Sequence, residues 1–509
     1  MYSKYKQRRT QNAQRLTRKL KINVFRVRPS AFGIWHLIIL LFAGSFSITA
    51  CKKWEDHNKV NNQDLTINLL QALATDENLS TFSGFITKTG LDTVLQSSKN
   101  YTVWAPSNSA LQNLDPAIVN DLTQLTAFVK NHIASQAYFT RSAATGTRIP
   151  VLSGKYNSFE KSKFDDATIT TADRFVSNGV LHVIDKPVPV LQNIWEYINS
   201  TTGTYEQNAF VVAQNYMTFD PSQAIIDSIN VVTGDPIYRP GTGIVYRNNF
   251  NDRVYDVKQE DKVFTYFILT NNSFTAESDS LKPYYKSASA TYTDTLSKFN
   301  TVKDLAVEGL YPANALPAFV LSKNGTPIPL SASAIVATKK LSNGIAYVMN
   351  NVDVLTADKF KQVTIEGERP NGFQSDKSGN TNYRTRYDTI NKRYYWDLMV
   401  TGHGVTAYYA YYSLGQYPSM KYRVYALGVN DFQGTTFNQS VVVKAVTGPT
   451  STTLATLTHA VPLSTAAGAF NEKLLGEFTS TSYGTLEIQL TASGTNPLVL
   501  DYLRIVPVP

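Results

Sequence analysis

Tyr101-Thr-Val-Trp-Ala-Pro-Ser-Asn-Ser-Ala-Leu111 and Asn178-Gly-Val-Leu-His-Val-Ile-Asp-Lys-Pro-Val188 decide the fold of the N-terminal part of this chain. The first stretch opens as a strand. Pro106 then fixes φ, and Ser107 and Asn108 are residues that turn a chain and cap the helix that follows. The second stretch is preceded by Arg174-Phe-Val, so it reads as strand, Asn-Gly turn, strand. Asn-Gly between apolar runs is a strong hairpin signal. Helical spacing fills the space around them: Leu65, Ile67, Leu69, Leu70 and Leu73; Phe82, Phe85 and Ile86; and a continuous run from Pro116 to His132.

Together the two stretches resemble the fasciclin (FAS1) domain. Residues 102–111 are similar to the family's T-V-F-A-P-T-N-x-A-F motif, with Trp104 for Phe and Ser107 for Thr, and Asn178 to Val188 are similar to N-G-x-x-H-x-I-D-x-V-L. His132 stands where the family has its central histidine. The resemblance spans residues 62–190 and implies a compact α/β unit of an extracellular, often adhesive kind. Pro106, Asn108, His132, Asn178, Gly179 and His182 are then motif residues with structural roles. Two histidines without a third ligand or a nucleophile make neither a metal site nor a catalytic one.

The order of elements recurs over residues 191–358. Ile194-Trp-Glu-Tyr-Ile198 begins a helix, Lys262 to Phe274 takes the place of the first motif, and Val302 to Leu310 reads as a helix. Leu341-Ser-Asn-Gly-Ile-Ala-Tyr-Val-Met349 takes the place of the second, with the Asn343-Gly344 turn kept and Tyr347 where the first unit has His182. This looks like a divergent second fasciclin unit with an insertion near 230–260.

From residue 359 to 509 the pattern changes to short strands with frequent turn signals. Eight are legible, among them Arg393–Val400, Val405–Tyr412, Tyr422–Gly428 and Leu498–Val506. They imply an all-β sandwich of jelly-roll type, and the last strand resembles those of galactose-binding-like and carbohydrate-binding-module sandwiches. The fold class is thus multidomain: two α/β (α+β) units, then a β-sandwich. Exposed linkers are expected near the N-terminal tether and near 357–361. Tyrosines crowd the sandwich, and Trp396, Tyr409 and Tyr411 are candidate glycan-stacking residues; strand parity puts Tyr409 and Tyr411 on one face and Tyr408 and Tyr412 on the other. Half-buried tyrosines also simply suit sheets, so both readings stand at this point.

The N-terminus sets the location. Ten Lys and Arg fall between Lys4 and Arg28 with no acid, followed by an apolar run from Ile34 that is short for a membrane span and closes at Cys51, the single cysteine. Ile48-Thr-Ala-Cys51 resembles the lipobox of bacterial lipoproteins, which implies cleavage after residue 50, diacylglycerol on Cys51, and a tether over 51–61. Two or more acyl chains hold a protein firmly on a membrane. Glu55 and Asp56 resemble the surface-export signal of Bacteroidetes lipoproteins; a plain linker is the other reading. Ten of the 48 basic residues precede Cys51, leaving 38 against 39 acids, so the formal charge of +9 belongs to the leader. Nothing basic remains to argue for nucleic acid. No P-loop, nucleophile elbow, zinc-protease or dinucleotide motif occurs, and no cofactor or metal is called for. The sequence therefore reads as a non-catalytic outer-membrane lipoprotein. Its expected partners are the membrane through the lipid, and glycan or a partner protein. It resembles accessory members of SusC/SusD-type glycan-uptake systems. A purely structural adhesion protein is the alternative.

Overall fold

A computed structural model describes residues 63–509 apart from Thr145 and Thr389. The leader, Cys51 and the tether lie outside the described residues. In the first unit, Tyr101–Pro106 and Gly179–Ile184 lie side by side and parallel, Tyr101 opposite Gly179. They are the inner strands of a sheet that runs from Ile133–Ala134 on one side to Arg148–Pro150 on the other. All six residues of Tyr101–Pro106 are buried. The strand is covered on both faces, so its apolar run is nearly continuous.

Asn178 explains why the turn carries an amide. Its Oδ1 accepts from the Leu69 N–H at 2.8 Å, and its Nδ2 donates to the Leu95 carbonyl at 2.6 Å. It thus ties the start of the helix Leu69–Ala74 to the loop before Tyr101. Gly179 has φ +156, and a Cβ there would stand 2.0 Å from the Tyr101 carbonyl oxygen. No larger residue fits where the strands close.

The second unit repeats this arrangement. Phe264–Leu269 and Gly344–Met349 are parallel, Phe264 opposite Gly344. Asn343 Oδ1 accepts from the Ile194 N–H at 2.9 Å and Nδ2 donates to the Val257 and Gln259 carbonyls. A Cβ on Gly344 would meet the Phe264 carbonyl at 1.9 Å. Both entry helices begin with a capping box, Asn68 with Gln71 and Asn193 with Glu196. Tyr347 takes the place of His182 in register: His182 pairs with Trp104, and Tyr347 with Phe267. Polar contacts join the two units, chiefly Arg148 to the Glu260 and Ser342 carbonyls and Lys155 between Glu196 and Glu260.

Several sequence expectations are corrected. The entry helix is only Leu69–Ala74, because Asn68 caps it and leaves Leu65 exposed. The run from Pro116 to His132 is two helices, Pro116–Asn120 and Leu122–Lys130, since Asp121 caps the second. Residues 302–310 are not a helix. The helix Ala290–Val302 ends there, and Ala306–Glu308 pairs with Phe264–Tyr266 as Ile133–Ala134 pairs with Thr102 and Val103. The insertion lies at 215–248, as two two-stranded ribbons. One broad face of them exposes Met217, Phe219, Ile244 and Tyr246.

The third unit has twelve strands among the described residues, in sheets of four, five and three around a main apolar core with two smaller clusters beside it. Gly372–Phe373, Thr381–Asp388 and Thr450–Val461 are additional to the expected set. Val405–Tyr412 is instead Tyr409–Tyr417, and Leu498–Val506 breaks at Asp501 into two strands in different sheets. The core takes in Leu281 and Tyr285 from the second unit and Phe360 from the connection. The expected exposed linker at 357–361 is therefore largely closed. Lys359 is buried against Asp304 at 3.3 Å, and Phe360 packs on Tyr284 and Tyr285. Ser419 is hydrogen-bonded to the Pro283 and Tyr284 carbonyls across the same junction.

Candidate functional site

The third unit carries a ribbon of two antiparallel strands, Thr381–Asp388 and Arg393–Val400, in unbroken register. Asp388 holds the connecting turn by accepting from the Ile390 and Asn391 N–H groups, both at 2.9 Å. Cross-strand partners share a face. Tyr383 opposes Leu398, Thr385 opposes Trp396, and Tyr387 opposes Tyr394. The face that enters the core at Leu398 and Val400 emerges beyond it at Trp396 and Tyr394. Tyr383, Tyr387, Tyr394 and Trp396 are exposed by 51%, 46%, 74% and 57%. The Tyr387 and Tyr394 rings lie 4.9 Å apart.

The opposite face is tied to the body by charge. Arg384 donates to Asp397 at 2.9 Å and to Asp431 at 3.0 Å, and Arg386 pairs with Asp431. Tyr395 packs edge-on against Phe470. The arginines thus fix which face turns outward. Next to Tyr383 a cleft of about 310 Å³ opens between the ribbon and residues 373–378, lined by Phe373, Ser375, Asp376 and Lys377.

Of the residues proposed from sequence, Trp396 is on this ribbon. Tyr409 and Tyr411 are on the strand Tyr409–Tyr417 of the five-stranded sheet, half-buried, with Tyr411 over Gly372. The three do not share one strand pair. Tyr408 and Tyr412 point into the core, where burial raises both hydroxyl pKa values. Tyr383 and Tyr387 escaped the sequence reading. Their strand holds no aliphatic residue, and its only signal is the alternation of Tyr383, Thr385 and Tyr387 with Arg384 and Arg386.

The first unit's motif residues are occupied with their own fold. Pro106 ends its strand, and Ser107 caps the short helix Asn108–Leu111. Asn108 reaches sideways: its Oδ1 accepts from the Thr81 N–H at 2.9 Å and its Nδ2 donates to the Glu77 carbonyl at 2.8 Å. His132 is fully buried, with Nδ1 at 2.8 Å from the Phe128 carbonyl and Nε2 accepting from the Val188 N–H at 3.0 Å. That assigns the proton to Nδ1, and burial brings the ring's pKa down to about 4. His182 Nε2 lies 3.0 Å from the Tyr138 carbonyl, and its Nδ1 accepts from the Asp173 N–H. Tyr347 makes the matching bond to the Tyr311 carbonyl at 2.7 Å.

Asp501 is the one strongly shifted carboxyl of the third unit. Burial pushes it up to about 7; Arg393 opposes this, and Glu366, Asp397 and Glu368 add to the rise. Among the described residues no group of three or more His, Cys, Asp or Glu is arranged to hold a metal ion.

Residues 77–189 match the fasciclin domain family model, so this part of the chain is a fasciclin domain. It is similar to the uncharacterized protein sll1735 of Synechocystis, 26% identical over 128 residues that cover 24% of this chain and 96% of that protein. It is also similar to transforming growth factor-beta-induced protein ig-h3 of Sus scrofa, 26% identical over 133 residues, 24% of this chain and only 19% of ig-h3. Among solved structures, a FAS1 domain pair from the insect cell adhesion molecule fasciclin I aligns over 56% of this chain and 99% of its own, at 16% identity and a TM-score of 0.22. The C-terminal CBM6 of LamC from Zobellia galactanivorans aligns over 29% of this chain and 99% of its own, at 13% identity and a TM-score of 0.20. At such TM-scores neither likeness carries an argument about this chain.

Proposed function

We propose that this is a non-catalytic binding lipoprotein whose third unit holds glycan on the aromatic ribbon. The observation that carries the reading is the uncovered face of Tyr383, Trp396, Tyr387 and Tyr394. Four exposed aromatics in a row are costly to leave in water. Their flat faces suit the apolar faces of sugar rings, and their hydroxyls suit the rim. The arginine contacts behind the ribbon hold it in place before any ligand arrives, which lowers the ordering cost of binding.

In this reading the second unit is a divergent fasciclin domain, the third a jelly-roll β-sandwich, and the first two act as an adhesive stalk. Cys51 carries the lipid, the chain sits at the outer membrane facing outward, and it serves as an accessory to a SusC/SusD-type uptake system. A glycan array with the purified chain tests the binding half, with Trp396→Ala as the matched variant. Membrane fractionation of Cys51→Ser tests the anchor: retention of that variant in the membrane fraction argues against lipidation.

A protein–protein adhesion role is the second reading. It is favoured by the insertion at 215–248, whose exposed Met217, Phe219, Ile244 and Tyr246 form an apolar face that glycan does not need.

A further inference from the structure

A cavity of about 340 Å³ opens at the junction of the second and third units. Its size is at the lower end of small-ligand sites, and unit junctions are a usual place for them. Arg253 and Lys303 of the second unit and Lys359 and Lys361 of the connection line it. Tyr417 and Tyr483 of the third unit form the facing wall.

The charges do not cancel. Lys359 has Asp304 at 3.3 Å and Glu277 at 3.9 Å. Among the described residues Lys361 reaches only the Gly325 carbonyl, at 3.2 Å. Among the described residues neither Arg253 nor Lys303 forms a salt bridge; the Arg253 guanidinium lies over the Phe299 ring at 4.7 Å. Burial lowers the pKa of the Lys303 amine; Asp304 opposes the fall and Lys359 and Arg253 add to it, so these cations crowd one another. Among the described residues Tyr417 Oη, buried in the wall, has no hydrogen-bond partner. Arg253 and Lys361 are exposed and Lys303 is half-buried, so what the cleft leaves unmet is a crowd of like charges at its mouth and, in its wall, a buried hydroxyl without a partner. The Tyr285 and Tyr483 rings, 5.5 Å apart, add apolar surface beside the charge.

We propose that this cleft binds the oxyanion group of an acidic saccharide, with Arg253 and Lys303 as its charge partners. An oxyanion takes charge-assisted hydrogen bonds from both cations at once, and the ring that bears it lies against the tyrosines. The saccharide part rests on the glycan reading above; the oxyanion part rests on the cleft alone. The site shares no residue with the ribbon.

The test is calorimetric titration of the full chain in detergent. The probes are an oligogalacturonate, its fully methyl-esterified form, a sulfated dextran oligomer and inorganic sulfate. One of the two acidic oligomers is expected to bind, with affinity falling as salt rises. The neutral ester should not replace it, and inorganic sulfate should compete only at more than about tenfold higher concentration. Arg253→Gln with Lys303→Gln should weaken binding about tenfold or more without lowering the thermal midpoint. Trp396→Ala should leave this acid-dependent component in place. Absence of binding by both acidic oligomers overturns the proposal, as does equal binding of the ester or an unaffected double variant. Sulfate as tight as the oligomers overturns the saccharide half. Loss of all acid binding in Trp396→Ala moves the ligand to the ribbon and overturns the cleft, whereas neutral-glycan failure alone bears only on the ribbon.

Discussion

Asn178 Oδ1 accepts the backbone N–H of Leu69 at 2.8 Å, across 109 positions of sequence. Asn343 does the same for Ile194 at 2.9 Å, across 149 positions. Both amides are buried. Removing either leaves a helix N–H and two loop carbonyls without partners. Asn178→Ala and Asn343→Ala should each cost about 2–4 kcal/mol. Asp, which keeps the acceptor and loses the donor, should cost at least 1 kcal/mol as well. Urea denaturation of the two pairs of variants measures this, and equal, negligible losses would remove the Asn-Gly turn as the lock of each unit.

Lys359 and Asp304 close the connection between the second and third units. Breaking a buried pair by removing one partner costs about 3–5 kcal/mol, because the other charge is stranded. Lys359→Met should destabilise by about that much and open the connection to protease. In the unaltered protein, limited proteolysis should leave one fragment from about residue 191 to 509 rather than a cut at 357–361. A clean cut there would mean that the core shared through Leu281, Tyr285 and Phe360 does not hold.

The sequence makes the first unit legible because its two motifs are contiguous and each does one local job. It is less informative where the job is done at a distance. Asn108 looks like a cap for its own helix yet braces Thr81 and Glu77. Ala306 and Val307 fit a helix by spacing, and become part of the strand Ala306–Glu308 because the edge at Phe264–Tyr266 needs a partner. Trp396 was found from its residue type, but the site around it was not. Tyr383 and Tyr387 become visible only once Arg384 and Arg386 are seen to bind Asp397 and Asp431. The closed junction at Lys359 has no sequence signature, since Asp304 and Lys359 are 55 positions apart.

Two buried groups, His132 in the first unit and Asp501 in the third, respond to pH in opposite directions. His132 is held neutral with a pKa of about 4, below the 6.5 of a free imidazole. The unfolded chain therefore takes the proton first. The first unit's stability is intact above pH 6.5 and falls as pH drops towards 4, by about 3 kcal/mol. Asp501 works the other way. Its pKa of about 7 lies above the free value, so its cost is fully present above pH 7 and fades as pH falls towards 4. His459, held at about 4 by burial in the third unit, opposes Asp501 there, so calorimetric scans between pH 4 and 8 should show the first unit's transition falling with pH and the third unit's moving less. His132→Gln should flatten the first, and Asp501→Asn should make the third fall with pH as well, by uncovering His459.

Whether the exposed aromatic face of the ribbon binds glycan is read from the affinity of the array-identified glycan for Trp396→Ala and Tyr394→Ala. Both side chains are more than half exposed, so neither change should move the unfolding midpoint appreciably. Each lost stacking ring should weaken binding about fivefold, roughly 1 kcal/mol. Tyr409→Ala and Tyr411→Ala on the five-stranded sheet serve as the comparison. Unchanged affinity in both ribbon variants, or a loss confined to Tyr409→Ala and Tyr411→Ala, would contradict the account.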